Sequence, residues 1–219
     1  MIEQNFPKDI KGIIQIGASS GQQVKLFIDN NVKDMILFEP CDKSFSELEQ
    51  TAEPYKTQAN IILSNYILSN KTEEVKFYIG QNEHNSSLLD LHPQRPGLHQ
   101  AINNHDRYEI KKSISLDDYF EQTKLDLDLY DFIFMDVQGA EHIVLEGALE
   151  TLKKIKYVYL EVSFAEIYAG TMLYDDMVKY LATLGFEVVW VDTSGHMNQG
   201  DILVKRVMTD TSVLNFLYG

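Results

Sequence analysis

The chain has 219 residues, with 19 Lys and Arg against 33 Asp and Glu, a formal net charge of −14 and an apolar fraction of 44%. At roughly 100–200 residues per domain this length fits one large domain, and the composition excludes disordered and fibrous classes. The charge argues against a nucleic-acid partner, because polyanion binding draws its affinity from Lys and Arg that displace counterions.

The opening stretch, MIEQNFPKDIKG, has neither the basic flank nor the apolar core of a signal peptide. No apolar run reaches the roughly 18 residues of a membrane span. A cytoplasmic protein is expected. Seven short apolar runs, at 12–16, 35–38, 60–63, 132–135, 157–162, 188–191 and 202–204, read as buried strands. Amphipathic stretches at 22–30, 43–53, 141–154 and 175–184 read as helices between them. Strands alternating with helices predict a doubly wound, mostly parallel α/β sheet. Only residues 192–201 join the last two strands, too few for a helical crossover, so these two must pair antiparallel.

The first strand runs into Ile16-Gly17-Ala18-Ser19-Ser20-Gly21-Gln22, a glycine turn that opens a helix, which is where doubly wound sheets bind ligands. A dinucleotide fingerprint would need glycine where Ser19 and Gln22 stand, which disfavours a nicotinamide cofactor and suits a nucleoside without pyrophosphate. Glu39 ends the second strand 22 residues after Gly17, where a carboxylate can accept from both hydroxyls of a ribose. Pro40 then stops the strand. Cys41 is the single cysteine, so no intramolecular disulfide forms and a reducing compartment is the simplest home. It reads as packing.

Residues 80–112 break the alternation, with loop formers, two prolines, four of the six histidines (His84, His92, His99, His105) and two of the three arginines (Arg95, Arg107). The histidine spacings match no metal-ligand pattern. A polar lid over the site is expected, with Arg95 or Arg107 able to grip an anionic or hydroxyl-rich substrate. Lys153, Lys154 and Lys156, the densest basic cluster, read as cations at a helix end. Trp190 is expected in the core and Tyr168 in a pocket wall.

The pattern IQIGASSGQ, LFEP, FIFMDVQGAEHIVLEGA, YLEVSFAEIYAG, GDILVKR resembles the FkbM-type S-adenosylmethionine-dependent methyltransferases across residues 12–206. The resemblance implies a seven-stranded, Rossmann-like class I methyltransferase fold. It places the cofactor across Gln15, Gly17, Ala18, Ser19, Gly21, Gln22, Glu39 and Pro40, with Asn65 and Tyr66 beside the adenine and Ser86, Ser87 and Asp136 close by. Gln15 stands where the family usually carries an acid, and Gln138 where it more often shows Glu.

Methyl transfer to an aliphatic hydroxyl is an aligned displacement that also needs a base or a metal for the proton. Asp136 and Glu161 lie at the ends of neighbouring strands and His142 opens the following helix. Asp136 or His142 is the expected base. A Mg²⁺ or Mn²⁺ held by Asp136 and Glu161 is a less favoured variant. O-methylation of a small molecule, sugar or lipid-linked glycan is therefore the expected activity, with an idle nucleoside-binding scaffold as the alternative.

Overall fold

The computed structural model describes residues 2–93, 105–196 and 198–207. In chain order the strands are β1 (Gly12–Ile16), β2 (Asp34–Phe38), β3 (Asn60–Ser64), β4 (Ile67–Leu68), β5 (Glu74–Gly80), β6 (His105–Ile114), β7 (Phe132–Met135), β8 (Tyr157–Ser163), β9 (Phe186–His196) and β10 (Gln199–Arg206). The helices are α1 (Val24–Asp29), α2 (Asp42–Ala52), α3 (Leu116–Thr123), α4 (Glu141–Glu146), α5 (Leu149–Leu152) and α6 (Tyr174–Thr183).

All seven predicted strands join one sheet, ordered β3-β2-β1-β7-β8-β10-β9. The first five are parallel, and β10 pairs antiparallel with both β8 and β9, as the short 192–201 connection requires. The chain order reverses between β1 and β7, so the carboxyl ends of these two strands flank a crevice.

Alternation along the strands divides the core. Ile14, Ile16, Ile133, Met135, Val158 and Leu160 pack on one face, against Leu116 and Tyr119 of α3, Val144 and Leu145 of α4 and Met177 of α6. Ile13, Leu37, Phe132, Phe134 and Tyr159 pack on the other, against Val24 and Phe27 of α1 and Leu48 of α2. Phe134 and Tyr159, paired in register across β7 and β8, stack with ring centroids 4.3 Å apart. Trp190, expected in the core, is half-buried and stacks on Tyr159 from the edge of the sheet.

Two readings of the sequence are corrected. The stretch 141–154 is two helices, because Gly147 brings the backbone against β4's end: a Cβ there would lie 2.2 Å from the Ser69 carbonyl oxygen. The excursion is also not irregular throughout. β6 fills its last part and pairs antiparallel with β5 and parallel with β4 in a second, three-stranded sheet. Its apolar residues Tyr108 and Ile110 are exposed and its other face is charged, so no core-facing alternation marked it as a strand. Residues 94–104, with Arg95 and His99, lie outside the described residues.

The basic cluster is spent on ion pairs, Lys153 with Glu150, Lys154 with Asp128 and Lys156 with Asp131. Among the described residues no helix is long and apolar enough to cross a membrane.

Candidate functional site

The carboxyl ends of β1, β2 and β7 enclose a cleft of about 330 Å³, within the range of small-molecule pockets. One wall is the turn after β1. Gly17, Ser19 and Gly21 all take positive φ, of 81°, 49° and 87°. At Gly17 only glycine fits, since a Cβ would lie 1.9 Å from the Asp136 carbonyl oxygen; this residue brings the β1 and β7 ends together. Ala18 holds the turn to β2 by donating its amide to the Phe38 carbonyl at 2.8 Å.

Glu39 is 6% exposed and lines the cleft. The Ser19 amide donates to its Oε2 at 2.7 Å and the Cys41 amide to its Oε1 at 2.8 Å. Burial pushes its carboxyl above the usual range and these two donors oppose that push. Each oxygen retains acceptor capacity, which is the donor-poor geometry a pair of ribose hydroxyls would complete. Cys41 caps the start of α2 from a buried position, and burial together with Glu39 pushes its thiol up to about 12, so it packs and does not react.

Of the residues expected at the cofactor, Gly17, Ser19, Gln22, Glu39, Pro40, Tyr66, Ser86 and Asp136 line the cleft. Others act from behind it. Asn65 donates to the Glu39 carbonyl at 2.9 Å, and Ser87 donates to the Gln138 carbonyl at 2.8 Å. Gly21 admits Leu48 and Thr51 of α2 against the turn. Gln15 is 1% exposed; its amide nitrogen donates to Gln23 Oε1 at 3.1 Å while its own Oε1 has no partner. A buried orphan acceptor behind the glycine turn suits a cationic ligand group, although it lacks the charge of the usual acid.

The excursion also contributes to the cleft. Glu83 and His84 of the short 3-10 turn Glu83–Asn85 line it, and of these only His84 stood out in the sequence. Ser44 of α2 donates to Glu83 Oε2 at 3.1 Å, and the His84 Nδ1 hydrogen-bonds the Ser19 hydroxyl. The turn thus ties the excursion to both walls. Arg107 pairs with Glu109 on the surface and lines neither this cleft nor the cavity beside it.

At the floor, beyond β7, three carboxylates converge. Asp136, Glu141 and Glu161 each offer an oxygen within 4.8 Å of the others. Glu141, which the sequence marked only as a helix opener, folds back so that its Oε1 accepts from the Val137 and Gly139 amides at 3.1 and 3.2 Å. Gln138, held at φ 58°, donates to Asp136 Oδ1 at 2.7 Å and accepts from the Tyr168 hydroxyl at 2.8 Å. A Glu there would set a fourth negative charge on Asp136; the amide donates to it instead. Tyr168, expected in a pocket wall, is fully buried behind Gln138.

Gln199 donates to Glu161 Oε2 at 2.6 Å. Burial first raises the carboxyls of both Glu161 and Glu141; the charges of Asp136, Glu141 and Asp201 add to it at Glu161, while at Glu141, raised to about 7, a backbone hydrogen bond opposes it and the Asp136 charge adds to it. Asp136 is raised as well, by the protein packed around it although its own side chain is exposed, against the Gln138 donor and the His84 charge. His142 lines neither cavity; burial lowers its imidazole and the Glu146 charge works against that. The arrangement can take up a proton, or hold positive charge, at the ends of β7 and β8.

The sequence matches the FkbM methyltransferase domain over residues 15–188. It is 26% identical over 200 residues to the 2-O-methyltransferase NoeI of Sinorhizobium fredii, covering 89% of this chain and 79% of that protein. The FkbM methyltransferase structure from Methylobacillus flagellatus superposes with a TM-score of 0.58 at 16% identity over 89% of this chain, which spans 43% of that longer protein. A Streptococcus pneumoniae protein, Sp1610, provisionally described as a tRNA (m1A22) methyltransferase and solved in complex with S-adenosyl-L-methionine, superposes with a TM-score of 0.52 at 12% identity, covering 98% of this chain and 76% of that one. The fold therefore does not by itself separate small acceptors from nucleic acids, so the exclusion drawn from net charge finds no support in these likenesses. They favour catalysis over an idle scaffold. The strand order, the glycine turn with its acidic partner on β2 and the domain match agree: the chain belongs to the FkbM methyltransferase family.

Proposed function

We propose that the protein transfers a methyl group from S-adenosylmethionine to a hydroxyl of a small, sugar-like acceptor. The observation that carries this reading is the convergence of Asp136, which lines the cleft, with Glu141 and Glu161 beyond it, while Glu39 stands in the same cleft between two backbone amides. When bound, S-adenosylmethionine supplies a methyl carbon whose bond to the sulfonium sulfur breaks as the acceptor oxygen attacks, leaving a neutral thioether.

The chain's own residues do the rest. Glu39 accepts the ribose hydroxyls, with Ser19 and Pro40 beside it. Asp136 or Glu161 takes the hydroxyl proton: Asp136 lines the cleft and Glu161 the cavity beside it, and both carboxyls are raised above their ordinary values, which makes them stronger bases. Gln138 keeps Asp136 oriented by its hydrogen bond. Each of the three carboxylates spends one oxygen on a protein donor, and in this reading the acidic floor balances the charge of the cofactor and not that of a resident divalent ion. The 2-O-methyltransferase activity named for the Sinorhizobium relative supports oxygen as the methylated atom. The buried free thiol of Cys41 suits the cytoplasm.

Calorimetry with S-adenosylmethionine, followed by labelled methyl transfer in the presence and absence of EDTA, tests the reading. Micromolar binding and a rate indifferent to the chelator are expected. No binding at millimolar cofactor would sink the proposal, and a rate restored by added Mg²⁺ would reassign the three oxygens to a cation.

A further inference from the structure

Beside the cofactor cleft lies a second cavity, of about 410 Å³, on the α1 side of the sheet. The ends of β8 and β10, the start of α1 and the N-terminal turn Ile2–Gln4 enclose it. The two cavities share Gln22, Gln23 and Phe134. Glu161 lines the second and Asp136 the first, and their oxygens lie within 4.8 Å of each other. The second cavity therefore abuts the reacting end of the first.

We propose that this cavity is the acceptor site and that it takes a polyhydroxylated ligand without negative charge, a neutral or amine-bearing glycosyl unit, while rejecting acceptors with a carboxylate, sulfate or phosphate near the reacting hydroxyl. The inference rests on the methyltransferase reading above and adds the acceptor class to it. Four lining residues are acids, Glu3, Glu161, Asp192 and Asp201, and among the described residues no Lys, Arg or His lines the cavity. Asp192 already accepts from the Ser194 amide and hydroxyl, and Glu161 from Gln199; an ionised carboxylate can only accept, so the acceptor capacity these acids retain is met by a ligand that brings donors, as hydroxyls and ammonium groups do. An anionic substituent brings none and meets like charge.

The remaining lining fits the same ligand. Phe134 and Tyr159 form an aromatic floor for the C–H faces of a ring, and the Gln22, Gln23 and Gln199 amides can donate as well as accept. The volume lies near the low end of small-molecule pockets, which suits one or two rings. Of the two arginines expected from the sequence to grip an anion, Arg107 is absent from this lining and Arg95 lies outside the described residues.

The test uses the full chain loaded with S-adenosylhomocysteine and matched methyl glycosides of glucose, glucosamine and glucuronic acid, with glucose 6-phosphate as a fourth probe. Binding is read by saturation-transfer NMR and methylation by label from S-adenosylmethionine. The glucoside and glucosaminide should bind at least tenfold better than the two anions. Ser194→Trp, which fills the cavity from its exposed β9 side, should weaken them tenfold or more with cofactor affinity within twofold of wild type. Asp201→Asn, a milder change with the same cofactor control, should narrow the gap between neutral and anionic probes.

Equal binding of the anions, glycoside binding unaffected by a folded Ser194→Trp, an unchanged gap in Asp201→Asn, or no glycoside binding to a protein that binds cofactor would each overturn the inference and leave the methyltransferase reading standing. Loss of cofactor binding in the wild-type protein is the separate failure of that reading.

Discussion

Glu39 and Glu161 both end strands of the same sheet and both are largely buried, yet their surroundings are opposite. Glu39 stands alone, each oxygen fixed by a backbone amide of a turn that glycine and proline shape. Glu161 stands among Asp136, Glu141 and Asp201, which all raise its carboxyl, with a single side-chain amide donor from Gln199. The first arrangement is pre-organised, so a ligand with two hydroxyls binds without reordering it. The second carries negative charge that the described residues leave unpaired by any ion pair, and a proton, a cationic ligand or a donor-rich acceptor relieves it. One end of the cleft is built to hold and the other to react.

Substitution separates these roles. Asp136→Asn or Glu161→Gln should cut kcat at saturating cofactor by about 10²–10⁴, the usual worth of a positioned base, with affinity for the uncharged S-adenosylhomocysteine nearly unchanged. Wild-type turnover in both would remove them from the chemistry. Glu39→Gln should act the other way. Losing hydrogen bonds to a charged group costs about 1.5–3 kcal/mol, so cofactor binding should weaken by roughly 10–150-fold in calorimetry, with kcat at saturating cofactor within a few-fold of wild type. If Glu39→Gln instead abolished turnover at saturation, the contrast between the two ends would collapse.

How much of this was legible follows from where each signal comes from. The central strands β1, β2, β7, β8 and β10 of the main sheet are buried on both faces, so they announce themselves as apolar runs, and β10 could be set antiparallel from loop length alone. Gly17 and Glu39 were legible because backbone crowding and a strand-end carboxylate leave local marks in the sequence. β6 left none in the excursion, since it pairs there with β5 outside the main sheet and its apolar Tyr108 and Ile110 face outward. Glu141 was hidden differently: an acid at a helix start has a complete explanation in the helix dipole, and only the fold shows its side chain turned back under Asp136. The acidic cavity draws Glu3 and Asp201 from opposite ends of the chain, a juxtaposition no spacing encodes.

The crowded end should also show in the pH dependence of stability. Glu141 rises from the ordinary 4.5 to about 7 in the folded protein, so the fold binds that proton more tightly than the unfolded chain does. The resulting stabilisation, about 3 kcal/mol for a shift of this size, is fully present below about 4.5 and is lost as pH rises through about 7. Asp201, raised to about 6 by burial against its Tyr159 bond, adds to the same trend. Melting of the cofactor-free protein between pH 5 and 7.5 should therefore show a downward slope that Glu141→Gln flattens. S-adenosylmethionine should restore more stability at pH 7.5 than at pH 5, and more than the uncharged thioether of S-adenosylhomocysteine does. Equal stabilisation by both ligands at every pH would break the link between the acidic floor and the sulfonium charge.

The smallest expected effect is at Tyr168, which itself lines neither cavity. Its hydroxyl donates to Gln138 Oε1, and that bond fixes which end of the amide faces Asp136. In Tyr168→Phe the oxygen of Gln138 loses its donor and the amide is free to turn, which should cost about 0.5–1.5 kcal/mol of stability. A purely structural role ends there, with a lower Tm and an unmoved pH–rate profile. If Tyr168 positions the base through Gln138, Asp136 also loses part of the hydrogen bond that favours its ionised form, and its carboxyl rises further. The acid limb of kcat should then move to higher pH, with kcat on the plateau falling only a few-fold and the acceptor KM unchanged. A shifted limb in Tyr168→Phe that Gln138→Glu does not enlarge would separate the two side chains, because the added carboxylate charge beside Asp136 pushes the same limb in the same direction.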